Sequence, residues 1–302
     1  MNIAIIGSNG FIGKNLIYSL LKKNFKVYGF DRQACDPISE NPNFYFYPFD
    51  VTGSLDILLD LAPHSIDVVI FAASLMEPAE AESNPIRDIQ INTCAFVNLL
   101  IGLSDKFTGK FIFLSSGGTI YGNKKNAVET DPPQPNSIYS ISKLHYETLL
   151  AYYSNKSNFS YLIFRLSNPF GSFHPKSNQG IIPIFINKIL SHSVIDIYGD
   201  GNQTRDYFYI KNFTDFIDKT FNYSGDYYLY NIGSGLSLTV HDILDKIQAI
   251  LNINPIVRHH PKRPFDLIHN SLCCDLAKNE LGWNNEIMFD DALKLTIKNL
   301  LP

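Results

Sequence analysis

The sequence predicts an α/β protein: a Rossmann-type, doubly wound parallel sheet with a smaller α/β substrate-binding lobe. Three observations carry that prediction. Short apolar runs alternate with amphipathic helical stretches through the first half of the 302-residue chain. A glycine-rich turn joins the first apolar run to the first helix. After Leu166 the alternation stops, and Asn168-Pro169-Phe170-Gly171 opens a loop-rich second half.

Asn2–Ile6 is short and continuously apolar, as a strand buried on both faces must be. Phe11–Lys23 repeats apolar residues at Ile12, Leu16, Leu20 and Leu21 and reads as a helix. Lys26–Phe30, Phe44–Tyr47 and Asp67–Ala72 follow as strands, and Asp88–Ser104 as a long helix. Lys110–Ser115 is a fifth strand, Tyr139–Ser154 a second long helix and Tyr161–Leu166 a sixth strand. The Pro-rich segment 131–135 is a rigid loop, not a linker. Helical patterns at Ile182–Leu190 and Thr239–Leu251 then sit among short strands. The sheet domain is therefore expected at 1–167, rejoined by about 210–232, and the second lobe mainly at 168–302.

A net charge of −4 and a pI near 6.0 lack the basic footprint of a nucleic-acid binder. The dense basic stretch Arg258–Arg263 is short and interrupted by Pro261, and reads as a local anion contact or a solvated loop. Cys35, Cys94, Cys273 and Cys274 have no metal-ligand spacing, so no metal is expected, and four reduced cysteines fit the cytoplasm. Met1 runs directly into an apolar strand with no charged leader, and no apolar run is long enough to span a bilayer. Neither a signal peptide nor a membrane association is expected. Most of the aromatic side chains are assigned to the core.

Gly7-Ser8-Asn9-Gly10-Phe11-Ile12-Gly13 follows the first strand and opens the first helix. The first glycine permits the tight turn, the second lets a pyrophosphate approach the backbone, and the third lets helix and strand pack closely. The helix N-terminus then presents N–H groups and a positive dipole end to phosphate. Asp31 closes the second strand where a carboxylate can bond ribose hydroxyls and repel a 2′-phosphate, favouring NAD over NADP, although Arg32 beside it pulls the other way.

The spacing G-x-x-G-x-x-G resembles the extended, sugar-nucleotide branch of the short-chain dehydrogenase/reductase superfamily, the NAD-dependent epimerase/dehydratase family. Further matches run through most of the chain. The resemblance implies NAD held by Gly7, Asn9, Gly10, Phe11, Ile12 and Gly13, with Asp31 on the ribose and Asp50 and Val51 at the adenine. It also implies cofactor contacts from Phe71, Ala72, Ala73, Asn92 and Ser115.

Tyr139-Ser140-Ile141-Ser142-Lys143, followed by Glu147, is the Y-x-x-x-K signature of that superfamily. On a helix these two positions share a face, so phenol and ammonium can meet. A free tyrosine titrates near pH ~10, and a nearby cation favours its phenolate. Lys143 together with oxidised nicotinamide is expected to make Tyr139 a usable base, and by the resemblance Lys143 also holds the nicotinamide ribose. The family's third catalytic hydroxyl lies four residues before Tyr121-Gly122, and here that position is Gly117. Ser116 is the first candidate to replace it, with Thr119 or water as alternatives, and strand-end capping is the competing role for Ser115 and Ser116. Gly117 and Gly118 also stand where the family's 4,6-dehydratases carry an Asp-Glu pair, which argues against dehydration.

At the substrate end, Asn168-Pro169-Phe170-Gly171, Gly199–Tyr207, Asn231–Gly235 and Arg263-Pro264-Phe265-Asp266 resemble successive family motifs. They imply that Arg205 and Arg263 grip a diphosphate, that Asn168 lies near it and that Asp266 accepts from ribose hydroxyls. Surface ion pairs and a helix cap are the alternatives for these residues. Lys211-Asn212 replaces acidic residues common in the family, which touches a structural contact and not the chemistry. Asn270 occupies the position where 4-epimerases of the family set room beside C2 of the sugar, so an N-acetylhexosamine is admissible. The resemblance thus implies a nucleotide-sugar 4-epimerase, UDP-sugars favoured, working as a homodimer through the two long helices. A 4-keto-sugar reductase and a non-catalytic nucleotide sensor are the alternatives.

Overall fold

Burial accounts for the first strand: Ile3, Ala4, Ile5 and Ile6 are all at most 2% exposed, which only a strand covered on both faces achieves. The computed structural model describes residues 1–33, 40–74, 76, 78–173, 180–263 and 266–301, and within them all side chains except those of 61–65. Cys35, Pro264 and Phe265 lie outside the described residues, as does most of the polar loop after Ser172. Two compact units are present. The first comprises Met1–Ser116, Pro135–Arg165 and Thr214–Tyr230, the second Gly117–Gln134, Leu166–Phe213 and Asn231–Pro302.

The large sheet contains β1 (Asn2–Ile6), β2 (Lys26–Asp31), β3 (Phe44–Pro48), β4 (Val68–Phe71), β5 (Lys110–Ser116), β6 (Ser160–Leu166) and β7 (Leu229–Ile232). Its order is β3-β2-β1-β4-β5-β6-β7, and the pairings from β3 to β5 are parallel. Strand order therefore reverses between β1 and β4, where Ile6 pairs with Phe71 on one side and Phe30 on the other. In such sheets the crevice at the carboxyl ends of those two strands is where ligands bind.

Helix α1 (Phe11–Lys22) buries Leu16, Ile17 and Leu20 completely, each worth roughly 1.5–3 kcal/mol on transfer from water. Between α2 (Asp56–Ser65) and α3 (Cys94–Ser104) the predicted long helix over 88–104 is broken differently. An α-helical turn covers Pro85–Asp88, a π-helical stretch covers Ile89–Thr93, and regular helix resumes at Cys94. The wide turn coincides with Asp88 and Asn92, whose side chains bond each other at 2.7 Å. Helix α4 (Ile138–Ser154) starts at a capping box in which Ser137 and Ser140 bond each other's backbone N–H groups. Its face with Lys143, Tyr146, Glu147 and Leu150 is buried. The aromatic excess fills the core, where Phe71, Phe96, Phe111, Phe113 and Tyr146 pack as one cluster.

The second unit carries three small sheets and its own core, in which helices Ile181–Leu190, Val240–Leu251 and Phe289–Leu300 bury Phe185, Ile243 and Leu293. Phe289–Leu300 is a helix not expected from the sequence, and Ala292, Leu293, Thr296 and Ile297 form its buried stripe. Among the described residues no helix is long and apolar enough to cross a membrane.

Candidate active site

A cavity of about 570 Å³ opens at the reversal point, a size suited to a nucleotide-sized ligand. Gly7, Asn9, Gly10, Asp31, Asp50, Val51, Ala72 and Ala73 line it, together with Ile6, Phe30 and Arg32. Gly7 adopts φ +87°, and a Cβ there would sit 2.8 Å from the Ala73 backbone, so only glycine fits. At Gly13 a Cβ would stand 2.1 Å from the Gly7 carbonyl, because α1 packs directly on the turn. Gly10 is open by comparison and is the N-cap of α1, with no side chain to cap the helix. Phe11, Ile12 and Gly13 do not line the cavity; they form the first turn of the helix behind it.

Asp31 is pinned to the glycine turn, since one carboxylate oxygen accepts from Asn9 N–H at 2.9 Å and the other from Arg32 N–H at 2.7 Å. Asp50 accepts from both the hydroxyl and the N–H of Thr52, and these bonds hold its carboxyl below the usual range.

A smaller adjoining cavity shares Val51, Ala73 and Ser74 with the first and is lined further by Phe71, Asp88, Asn92, Tyr139, Ser142, Lys143 and Tyr146. Tyr139 is hydrogen-bonded to Ser116. Lys143 is 7% exposed; its Nζ donates to the Leu114 carbonyl at 3.2 Å and lies 5.7 Å from the Tyr139 ring centre. The expectation that Lys143 acidifies the phenol meets an opposing effect. Burial pushes Tyr139 up to about 12, the Ser116 bond pulls it down, and the Asp88 charge raises it further. Burial also pushes Lys143 down to about 8, against the pull of Glu147 and Asp88. Tyr139 is half-buried, and desolvation is the largest of the effects on its proton.

Glu147 and Arg165 form a buried pair, with Arg165 Nη2 donating at 2.6 Å and Nε at 3.0 Å. Ser115 donates its hydroxyl to the same carboxylate at 2.6 Å, and so braces β5 against α4 and lines neither cavity. Asn92 donates to Asp88 at 2.7 Å. The sequence reading missed Asp88, Ser142, Tyr146 and Arg165. The one available signal was Asp88 four residues before Asn92 in an otherwise apolar helical stretch.

In the second unit, Arg205 donates to the Thr204 carbonyl at 2.9 Å. Burial lowers its guanidinium's proton affinity and Arg263 adds to that, while Tyr207 and Asp266 oppose it. Arg263 grips Asp266 through Nε at 3.0 Å and Nη2 at 3.2 Å, and stacks 4.6 Å from the Tyr198 ring centre. Asp266 pairs with Arg263, and its charge also favours the Arg205 guanidinium. Thr119 sits in the helical turn Gly117–Ile120. Asn168 donates to the Asp206 carbonyl at 2.9 Å. The carboxylate of the buried Asp206 accepts from Ser234, Gly235 and Leu272, which holds the Asn231–Gly235 loop in place. Asn270 is fully buried; its Nδ2 donates to the Gly117 carbonyl at 3.3 Å and its Oδ1 has no partner. Asn212 ties down the C-terminal segment through Asn285 and Ile287.

The family model described as "NAD dependent epimerase/dehydratase family" matches residues 3–233. A dTDP-4-dehydro-6-deoxyglucose reductase of Escherichia coli is 32% identical over 314 residues, covering 99% of this chain and 97% of that protein. A putative UDP-glucose 4-epimerase of Methanocaldococcus jannaschii is 29% identical over 300 residues, covering 98% and 97%. The crystal structure of a UDP-glucose 4-epimerase from Thermotoga maritima with UDP-glucose has a TM-score of 0.90 at 28% identity, covering 99% of this chain and 98% of that one.

Proposed function

Since the chain belongs to the NAD-dependent epimerase/dehydratase family, we propose that it is a 4-epimerase of a nucleotide-activated sugar, most readily a UDP-hexose or UDP-N-acetylhexosamine. The observation that carries the reading is that Tyr139, bonded to Ser116, and the buried Lys143 line the smaller cavity that adjoins the 570 Å³ one. That cavity fits a dinucleotide: Gly7 and Gly10 leave its floor bare of side chains, and the Asp31 carboxylate faces it. Bound there, NAD supplies the site where hydride is accepted and returned.

Gly7, Asn9, Gly10, Asp31, Asp50, Val51, Ala72 and Ala73 hold the cofactor, with Asp31 disfavouring a 2′-phosphate. Tyr139 accepts the proton of the sugar's 4-hydroxyl and later returns it, while Ser116 steadies the reacting oxygen. Lys143 keeps a positive charge beside the phenol oxygen. Arg205 and Arg263 bind the diphosphate, so the nucleotide stays anchored while the keto sugar turns over. Asn270, with its unpartnered Oδ1, accepts from the N–H of a 2-acetamido group. Pairing of two copies through α3 and α4 is supported by the exposed apolar side chains of Ile101, Ile141 and Tyr152, and sedimentation at micromolar concentration tests it.

The test is a panel of UDP-, dTDP-, GDP- and CDP-sugars assayed by NMR, with NAD content measured on the purified protein. Interconversion of 4-epimers without added cofactor, lost in Tyr139→Phe, supports the reading; unchanged conversion by that variant refutes it. Strict preference for UDP-glucose over UDP-N-acetylglucosamine would remove the Asn270 assignment. A second reading, reduction of a nucleotide 4-keto sugar, is favoured by the 32% identity to the E. coli reductase and by a phenol held protonated near 12. It requires stoichiometric consumption of added reduced cofactor.

A further inference from the structure

One charged group of the polar cluster takes no part in the proton transfer assigned to Tyr139 and Lys143. Asp88 is 2% exposed, ends the Pro85–Asp88 turn and immediately precedes the π-helical stretch. Its Oδ1 accepts from Asn92 Nδ2 at 2.7 Å and its Oδ2 from the Ser142 hydroxyl at 2.6 Å. Ser142 lies three residues after Tyr139 and directly before Lys143 on α4. A single buried carboxylate therefore joins the π-helical stretch to the helix that carries both reactive side chains.

Burying a carboxylate is costly unless its oxygens are bonded and its charge is answered. Both oxygens are bonded here, and the nearby cation is Lys143, whose ammonium the Asp88 charge favours. The titratable groups that line the cavity with Asp88 are Tyr139, Lys143 and Tyr146 from α4, alongside the polar side chains of Ser74, Asn92 and Ser142. Glu147, the other acid acting on Lys143, lies one turn further along α4 and is held by Arg165. Glu82 bonds the Ile138 N–H at the exposed start of α4. Asp88 is thus the acid that lines the same cavity as Tyr139 and Lys143.

We propose that Asp88 is a positioning residue of the active site: clamped by Asn92 and Ser142, it sets the register of α4 against the π-helical stretch and keeps Lys143 charged. The inference rests on the role given to Lys143 under the proposed function, but its first readout does not depend on turnover. In protein carrying 13C at the lysine Cε atoms, with the Lys143 resonance assigned by Lys143→Met, the wild type titrates near 8. Asp88→Asn moves that titration down by about one pH unit, the lower end of the range for losing an opposite charge beside a titrating group. Asp88→Glu leaves it near the wild-type value. The alkaline limb of kcat moves down by the same amount in Asp88→Asn, with KM for the nucleotide sugar unchanged. If Asp88→Asn does not fold, Asp88→Ser removes the charge and keeps a hydroxyl, and the same shift is expected. An unmoved Lys143 titration in a folded charge-removing variant overturns the proposal, as does a moved titration with an unmoved kcat limb. Retained turnover by Tyr139→Phe is a different result: it sinks the proposed function and leaves the Lys143 titration to be read by itself.

Discussion

Lys143 is held in a place that costs the fold stability, and replacing it should show this. Its ammonium titrates near 8 rather than at the usual 10.5, chiefly because burial disfavours the charge. A difference of 2.5 units (10.5 less 8) is worth about 3 kcal/mol against the folded state. Lys143→Met keeps most of the side-chain volume and removes the charge. It also loses the bond to the Leu114 carbonyl, a net contribution of about 1 kcal/mol, so the variant should be more stable by about 2 kcal/mol at neutral pH. The sign follows from proton counting. Between pH 8 and 10.5 the unfolded chain binds more protons than the folded one, so wild-type stability rises with pH across that window. The penalty is complete below 8 and absent above 10.5. The advantage of Lys143→Met should therefore be full below pH 8 and turn into a disadvantage of about 1 kcal/mol above pH 10.5, where only the lost bond to Leu114 counts. Urea denaturation at pH 7 and pH 9.5 measures it, alongside loss of conversion by at least about a hundredfold. A variant less stable than wild type at pH 7, or a gap that does not change with pH, refutes the desolvation argument.

Two further outcomes concern the guanidinium groups. On the diphosphate-binding role proposed for them, Arg205→Ala and Arg263→Ala should each raise KM for the nucleotide sugar about tenfold or more and leave NAD affinity unchanged, since neither residue lines the cofactor cavity; steady-state kinetics and equilibrium dialysis of NAD check this. Glu147→Gln leaves Arg165 buried without its counter-charge and should cost about 3 kcal/mol or more, read as a lower urea midpoint.

The features legible in the sequence were those that obey a short-range rule. Ile3–Ile6, the glycine turn and Asp31 form a local unit whose spacing is dictated by backbone geometry, so the first strand, its turn and the end of the second strand were legible, while the strand order was not. Tyr139 and Lys143 were legible because a helix brings residues four apart onto one face. The π-helical stretch was not, because one widened turn, which rotates the later side chains about the axis, sits inside a run that the apolar spacing reads as one continuous helix over 88–104. Asp88 depends on that rotation and on Ser142, fifty-four residues away, and no periodicity encodes such a pairing. The strength of desolvation at Tyr139 was illegible for the same reason: it is set by everything packed around the hydroxyl, not by its neighbour on the helix.

The proton inventory of the site also bears on direction. With Tyr139 near 12 and Lys143 near 8, the resting cluster at neutral pH holds a neutral phenol and a charged ammonium. Reducing a 4-keto sugar needs that state, because the phenol donates. Oxidising a 4-hydroxyl needs the phenolate, and a positive charge bound within about 4–6 Å lowers a phenol by only 1–3 units. An epimerase built on these residues must do both in each turnover, so its two half-reactions should have opposite pH dependences. Single-turnover oxidation of the 4-hydroxyl should accelerate with pH from 6 to 9, whereas reduction of the keto intermediate should slow as pH rises through the Lys143 value of about 8. Stopped-flow absorbance of the nicotinamide follows each half-reaction separately. An oxidation rate that is flat across that range would mean that proton removal by Tyr139 does not limit the step, and the assignment of the base would have to move elsewhere.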